Sequence, residues 1–293
     1  MREPSNIARS GPCIETPSGK DAAYENFPVG SWLLSAKLRP HIIIFYRFAR
    51  AIDDIADNPN LAASIKLERL SGFEAVLLGA KADDPAYATG INMRESLLTT
   101  KITFQHSLDL IDAFKQDAIK GRYASWEELM FYCNRSAAPV GRYLLDLHGE
   151  CRDGYGPSDA LCNALQVINH LQDCQEDYRQ LDRVYLPLDW MREVGTEIKA
   201  IDTLKSSPAI RHVFDRCLDA MDPLISEARN LPASLKNHRL AMESAAIIKI
   251  AGRLIDLLRQ NDPLGTRLKL HKLDYLWQCL RGALPVFLGF SRT

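Results

Sequence analysis

Two short acidic runs, Asp53-Asp54-Ile55-Ala56-Asp57 and Asp173-Cys174-Gln175-Glu176-Asp177, sit inside stretches otherwise written in apolar residues. Residues four apart share a helix face, so Asp53 and Asp57 point the same way, as do Asp173 and Asp177. No basic residue stands between the members of either pair. Like charges at that spacing cost roughly a few tenths of a kcal/mol on an isolated helix, and unpaired charge in apolar surroundings costs far more. A fold for this chain must therefore bring positive charge to both runs. Mg²⁺, a hard cation held through one or two carboxylates plus substrate phosphates, meets that need. A solvated helix end would explain one such run; two, both on apolar segments, argue against it.

The stripes extend beyond the acids. In HIIIFYRFARAIDDIAD, from His41 to Asp57, the polar residues Tyr46, Arg50, Asp53 and Asp57 recur at helical spacing, and the rest of the helix reads as buried nearly all round. Gln166, Asn169, Asp173 and Asp177 repeat the arrangement among Leu165, Val167, Ile168 and Leu171. Elsewhere Pro28, Pro59, Pro85, Pro139, Pro157, Pro187, Pro208, Pro232 and Pro263 punctuate segments of helical period, and alternating β-type runs are scarce. The expected class is all-α.

Composition removes several alternatives. The net charge is −1, without the clustered positive charge that nucleic-acid binding requires. Seven cysteines, odd in number and without CxxC spacing, suggest neither a disulfide framework nor a zinc site, and fit a reducing cytosol. His41, His106, His148, His170 and His271 form no ExxH or HxxxH pair, so they read as surface or satisfied core histidines. Residues 1–20 read as a flexible tail without an apolar signal region, and residues 21–293 as a single domain with 46% apolar content over the chain. No run reaches the length of a spanning helix.

FYRFARAIDDIAD and ALQVINHLQDCQEDYRQLDRVYLP resemble the two aspartate-rich segments of the squalene and phytoene synthases, the head-to-head prenyl synthases. The resemblance runs from about Asn26 to the C-terminus. Within the family, ENFPVGSWLL and YCNRSAAPVGRYLL are most similar to the hydroxysqualene synthase branch of bacterial hopanoid biosynthesis. The resemblance implies an isoprenoid synthase fold, one helical bundle around a central cavity, with two or three Mg²⁺ ions held by Asp53, Asp54, Asp57, Asn169, Asp173 and Asp177. It implies catalytic parts for Asp53, Asp57, Asp173, Asp177, Tyr46 and Arg50. Substrate contacts would come from Phe27, Tyr46, Arg50, Tyr132, Gln166, Asn169, Arg183 and Tyr185. The substrate would be presqualene diphosphate, ionised and quenched by water without NADPH. The enzyme would be cytoplasmic, at or near the inner face of the membrane, and could feed downstream hopanoid-pathway enzymes.

The residues keep rival readings open. Arg50 and Arg183 read as diphosphate forks, Arg179 as a surface ion pair. Tyr46, Tyr132 and Tyr185 could face carbocations or simply fill the core. The small run Ala137, Ala138 and Gly141 reads as helix packing, or as floor space for prenyl chains. Gln172 stands where the family leads one to expect Arg, Ala23-Tyr24-Glu25-Asn26-Phe27 replaces a Ser- and His-bearing stretch, and the late helix AAIIKIAGRLIDLLRQ lacks a tyrosine, so the diphosphate grip and the NADPH-using step should differ. Rivals to the favoured function are a squalene or phytoene synthase condensing two prenyl diphosphates and a non-catalytic helical assembly partner. YLWQCLRGALPVFLGF, Tyr275 to Phe290, is either a core helix closing the bundle or, with Arg267, Lys269, Lys272 and Arg281, a peripheral membrane contact.

Overall fold

The computed structural model describes residues 14–15, 34–81, 83–265 and 268–289. Phe27, the stretch 23–27, Arg267 and most of the predicted tail lie outside the described residues. The helices run α1 (Arg39–Ala56), α2 (Ala63–Leu77), α3 (Ala88–Thr100), α4 (Gln105–Asp117), α5 (Trp126–Ser136), α6 (Ala138–Leu147) and α7 (Tyr155–Leu181). They continue as α8 (Leu188–Glu193), α9 (Pro208–Ala220), α10 (Asp222–Ala228), α11 (Leu231–Ser234), α12 (His238–Gln260) and α13 (Lys272–Phe287). The protein is helical, as the punctuated periodicity predicts, with one small addition. β1 (Arg122–Tyr123) and β2 (Val184–Pro187) pair in parallel, Arg122 opposite Val184 and Tyr123 opposite Pro187. A two-residue strand leaves no periodic trace in a sequence.

Local chemistry sets several helix starts. Proline stands in the first turn of α1, α6, α9, α10 and α11, where the missing N–H is not needed. The Ser125, Ser207 and Asn237 side chains accept from first-turn amides of α5, α9 and α12. α1 departs from the expectation of burial all round. Ile42, Phe45, Phe48, Ile52 and Ile55 are buried, whereas Ile43 and Arg47 face solvent, because α2, α3 and α4 pack against α1 and leave those two positions uncovered.

α7 passes through the molecule with α5, α6, α10 and α12 packed against it. α6 lies close: a Cβ on Gly141 would stand 2.3 Å from Ser158 Oγ and 2.8 Å from Cys162 Sγ of α7. The six described cysteines are free. Among the described residues no helix is long and apolar enough to cross a membrane.

Candidate active site

α1, α4, α5, α6, α7, α11 and α12 enclose a cavity of about 370 Å³. α7 runs its length, contributing Ser158, Leu161, Cys162, Leu165, Gln166, Asn169, His170, Asp173 and Asp177 at helical spacing. At 1.5 Å per residue that row is about 28 Å long. α1 supplies a matching row of Ile42, Phe45, Tyr46, Ala49, Arg50, Asp53 and Asp57. Asp53, Asp57, Asp173 and Asp177 all open on this cavity, together with Arg183 and Tyr185. The remainder is mostly apolar, with Val140, Leu144, Leu161, Leu165, Leu231, Leu235 and Leu240 in its wall.

The turn that follows α7 places Arg183. Asp182 adopts a left-handed conformation with φ 49°, which Asp tolerates better than most side chains. The Arg183 amide then donates back to Asp177 O at 3.2 Å, and its guanidinium reaches α1, donating to Asp57 and, at 2.8 Å, to the Ala56 carbonyl. One buried arginine thus joins the two acidic segments. Burial works against its charge, but Tyr185, Asp117 and Asp57 outweigh that and hold the guanidinium firmly protonated. Arg50 donates to Asp53 at 2.6 Å and stands 3.9 Å from Asp54. Burial first, then the facing Asp57 carboxylate, pushes the Asp53 carboxyl well above its ordinary range in spite of Arg50.

The donor set suits Mg²⁺. The aspartates and the Asn169 amide offer hard oxygens, and the neighbouring His170 imidazole is taken up by stacking on Tyr185. No three His, Cys, Asp or Glu side chains among the described residues form a ready-made cage. A Mg²⁺ ion bound here would need water and substrate phosphates to complete its shell. Asp54 is buried and is not among the residues that line the cavity, since one helical step turns it about 100° away from Asp53.

Tyr46, Tyr132, Gln166, Asn169 and Tyr185 all reach the cavity. Behind Tyr132 and Tyr185 stands Asp117, at the end of α4, which sequence reasoning missed. It accepts from the Tyr132 hydroxyl and, at 3.3 Å, from the Tyr185 hydroxyl. Burial raises its carboxyl to about 6, although Arg183 and the Tyr132 hydrogen bond pull the other way. His170 is also a cavity residue rather than a plain core histidine. Its ring stacks on Tyr185 with centroids 3.6 Å apart, and burial together with Arg183 lowers its pKa to about 3, so it is neutral. Only its i+4 offset from Gln166 could have flagged it.

Arg179 forms the predicted surface pair, 2.6 Å from Asp202. Gln172 is buried, is not among the residues that line the cavity, and donates to the Leu268 carbonyl, which ties down the chain after α12. Ala137 and Gly141 line the cavity while Gly141 also packs on α7, so both readings of the small run hold.

The sequence profile of the squalene/phytoene synthase family matches residues 21–274. The chain belongs to the squalene/phytoene synthase family. It is 40% identical over 262 residues to the hydroxysqualene synthase of Rhodopseudomonas palustris, covering 89% of both chains. To that of Zymomonas mobilis it is 38% identical, covering 88% of this chain and 87% of the relative. Among solved structures, a squalene synthase from Alicyclobacillus acidocaldarius superposes with a TM-score of 0.69 at 28% identity, over 79% of this chain and 87% of that one. A dehydrosqualene synthase shares the fold, with a TM-score of 0.74 at 18% identity over 93% and 92% of the two chains.

Proposed function

We propose that this member of the family is a hydroxysqualene synthase acting on presqualene diphosphate. The observation that carries the reading is a cavity whose wall changes from paired aspartates and arginine at one end to mostly apolar side chains over the rest. The first part would take a diphosphate and the second the prenyl chains of the substrate. Relatives at 38–40% identity over most of the chain bear the same name.

In this reading the C–O bond of the substrate breaks and its electron pair leaves with the diphosphate. Mg²⁺ held by Asp53, Asp57, Asp173, Asp177 and Asn169 would neutralise the charge on the phosphoryl oxygens. Arg50 and Arg183 face the same end and would take up charge that grows as the bond breaks. The apolar wall would keep water from the cation until it has rearranged, and Tyr132 and Tyr185 would present ring faces to it. One water would then add its oxygen to the cation and lose a proton, giving an alcohol. No hydride enters this balance, so NADPH is not required. The product's insolubility in water favours a cytoplasmic enzyme in peripheral contact with the inner leaflet, passing its product to hopanoid-pathway enzymes that follow.

The test is incubation of the purified protein with presqualene diphosphate and Mg²⁺, followed by mass analysis. Hydroxysqualene should form at the same rate with and without NADPH, and none should form in excess EDTA. Squalene formed only with NADPH, or consumption of farnesyl diphosphate alone, would replace the reading with a condensing synthase.

A further inference from the structure

We infer that α13 docks this protein on an anionic lipid bilayer, with the outward face of Leu276, Trp277, Leu280, Leu284, Phe287 and Leu288 inserted at the membrane surface. Each of these six residues is more than half exposed, between 52% and 62%. Together with Leu273, 82% exposed, they fall on one side of the helix and its final turn. At 100° per residue they occupy an arc of about 120°. Lys272 borders that arc on one side and Arg281 on the other, both exposed. Two basic residues flanking a broad apolar face are the layout of a helix lying in the membrane plane, its cations reaching up to lipid phosphates.

The opposite face shows that the helix is held in place by the protein. Gly282 lies against the backbone of α12 so closely that a Cβ would stand 2.4 Å from Ala245 O and 2.5 Å from Ala246 Cα. Gln278 and Val286 are buried beside it. The one acid of the helix, Asp274, is engaged by Arg253 at 2.8 Å and by Gln278 at 2.9 Å, so it does not offset the basic rim. The helix continues through Pro285, and its 16 residues span about 24 Å, too short to cross a bilayer. The inner edge of α13 is therefore core and its outer edge is apolar surface.

A bilayer fits this face better than a second copy of the chain, because pairing two such helices would bring their Lys272 and Arg281 rims together, whereas anionic headgroups complement them. The position of the helix agrees, in a part of the argument that rests on the proposed function. α12 bears α13 on Ala245 and Ala246 and lines the cavity with Glu243, Ser244 and Ile247. Only α12 and α13 stand between this part of the cavity wall and the lipid-facing side, which suits an alcohol that must leave into lipid.

Flotation of the full chain with vesicles tests the inference. The protein should float with vesicles of phosphatidylcholine and phosphatidylglycerol, and much less with phosphatidylcholine alone. The double variant Leu280→Glu/Leu284→Glu should lower binding on the order of tenfold or more. It should keep the wild-type melting temperature and rate of diphosphate release from detergent-dispersed substrate, because both side chains are exposed. Wild type that stays at the bottom of the gradient, or a double variant that floats as well as wild type, overturns the inference. So does a wild-type dimer that the double variant dissociates and that ignores vesicles, since the face would then join two copies. Wild type that turns over in detergent but does not float removes the docking alone; wild type that floats but leaves presqualene diphosphate intact removes the proposed function alone.

Discussion

Asp117 carries no mark in the sequence, yet it is the buried acid on which Tyr132 and Tyr185 converge. Asp117→Asn keeps its shape and removes a charge-assisted acceptor. With such bonds worth roughly 1.5–3 kcal/mol, kcat should fall on the order of 10- to 100-fold if the two hydroxyls must be held in place. The effect on stability has the opposite sign. A carboxyl raised from 3.8 to about 6 binds its proton more tightly in the folded protein than in the unfolded one. Stability from this group is fully present below the unfolded value and lost as pH rises to about 6, a change of order 3 kcal/mol. Chemical denaturation of the asparagine variant between pH 4 and pH 7 should lack that decline. Asp53→Asn follows the same logic, since burial and Asp57 disfavour its charge: turnover should vanish while the melting temperature at pH 7 holds or rises. Near wild-type turnover with saturating Mg²⁺ would remove Asp53 from the site.

At the scale of elements, α6 and α7 meet closely beside the cavity that both line. Gly141 sets that contact. Gly141→Ala should destabilise by roughly 1–3 kcal/mol, the range for overpacking, as its methyl meets Ser158 Oγ and Cys162 Sγ. Adding Ser158→Ala should restore part of the loss, a coupling that a double-mutant cycle in urea measures. Additive effects would show that the two helices have room to move apart. The sequence marked Ala137, Ala138 and Gly141 as small but left packing and cavity floor as alternatives, because a helix residue's spacing does not say which neighbour it faces.

For the molecule as a whole, the two acidic segments are far apart in sequence and joined by Arg183, so a ligand that engages both should stabilise the entire fold. Mg²⁺ and inorganic diphosphate together should raise the melting temperature, by an amount that corresponds to about 2.7 kcal/mol at a hundred times the dissociation constant. Mg²⁺ alone should do much less, because no described cluster supplies three ligands to one ion. Asp173→Asn should abolish the combined shift in differential scanning fluorimetry, and an equal shift with Mg²⁺ alone would contradict a site completed by phosphate.

The sequence by itself determined the helical class, both acidic stripes and the polar residues on their faces, for a periodic pattern carries its own geometry: spacing along a helix is distance and direction at once. It did not place what one helical step or a neighbouring helix decides: Asp54 stands about 100° off the stripe, one side of α1 is open, and His170 lines the cavity. The tertiary structure alone decided that Asp117 and His170 belong to the site, that Gln172 anchors the chain after α12, and that α13 is core on one edge and bare on the other. Those outcomes depend on which faces of separate helices meet, and a contact between segments far apart in the chain leaves no local period to read.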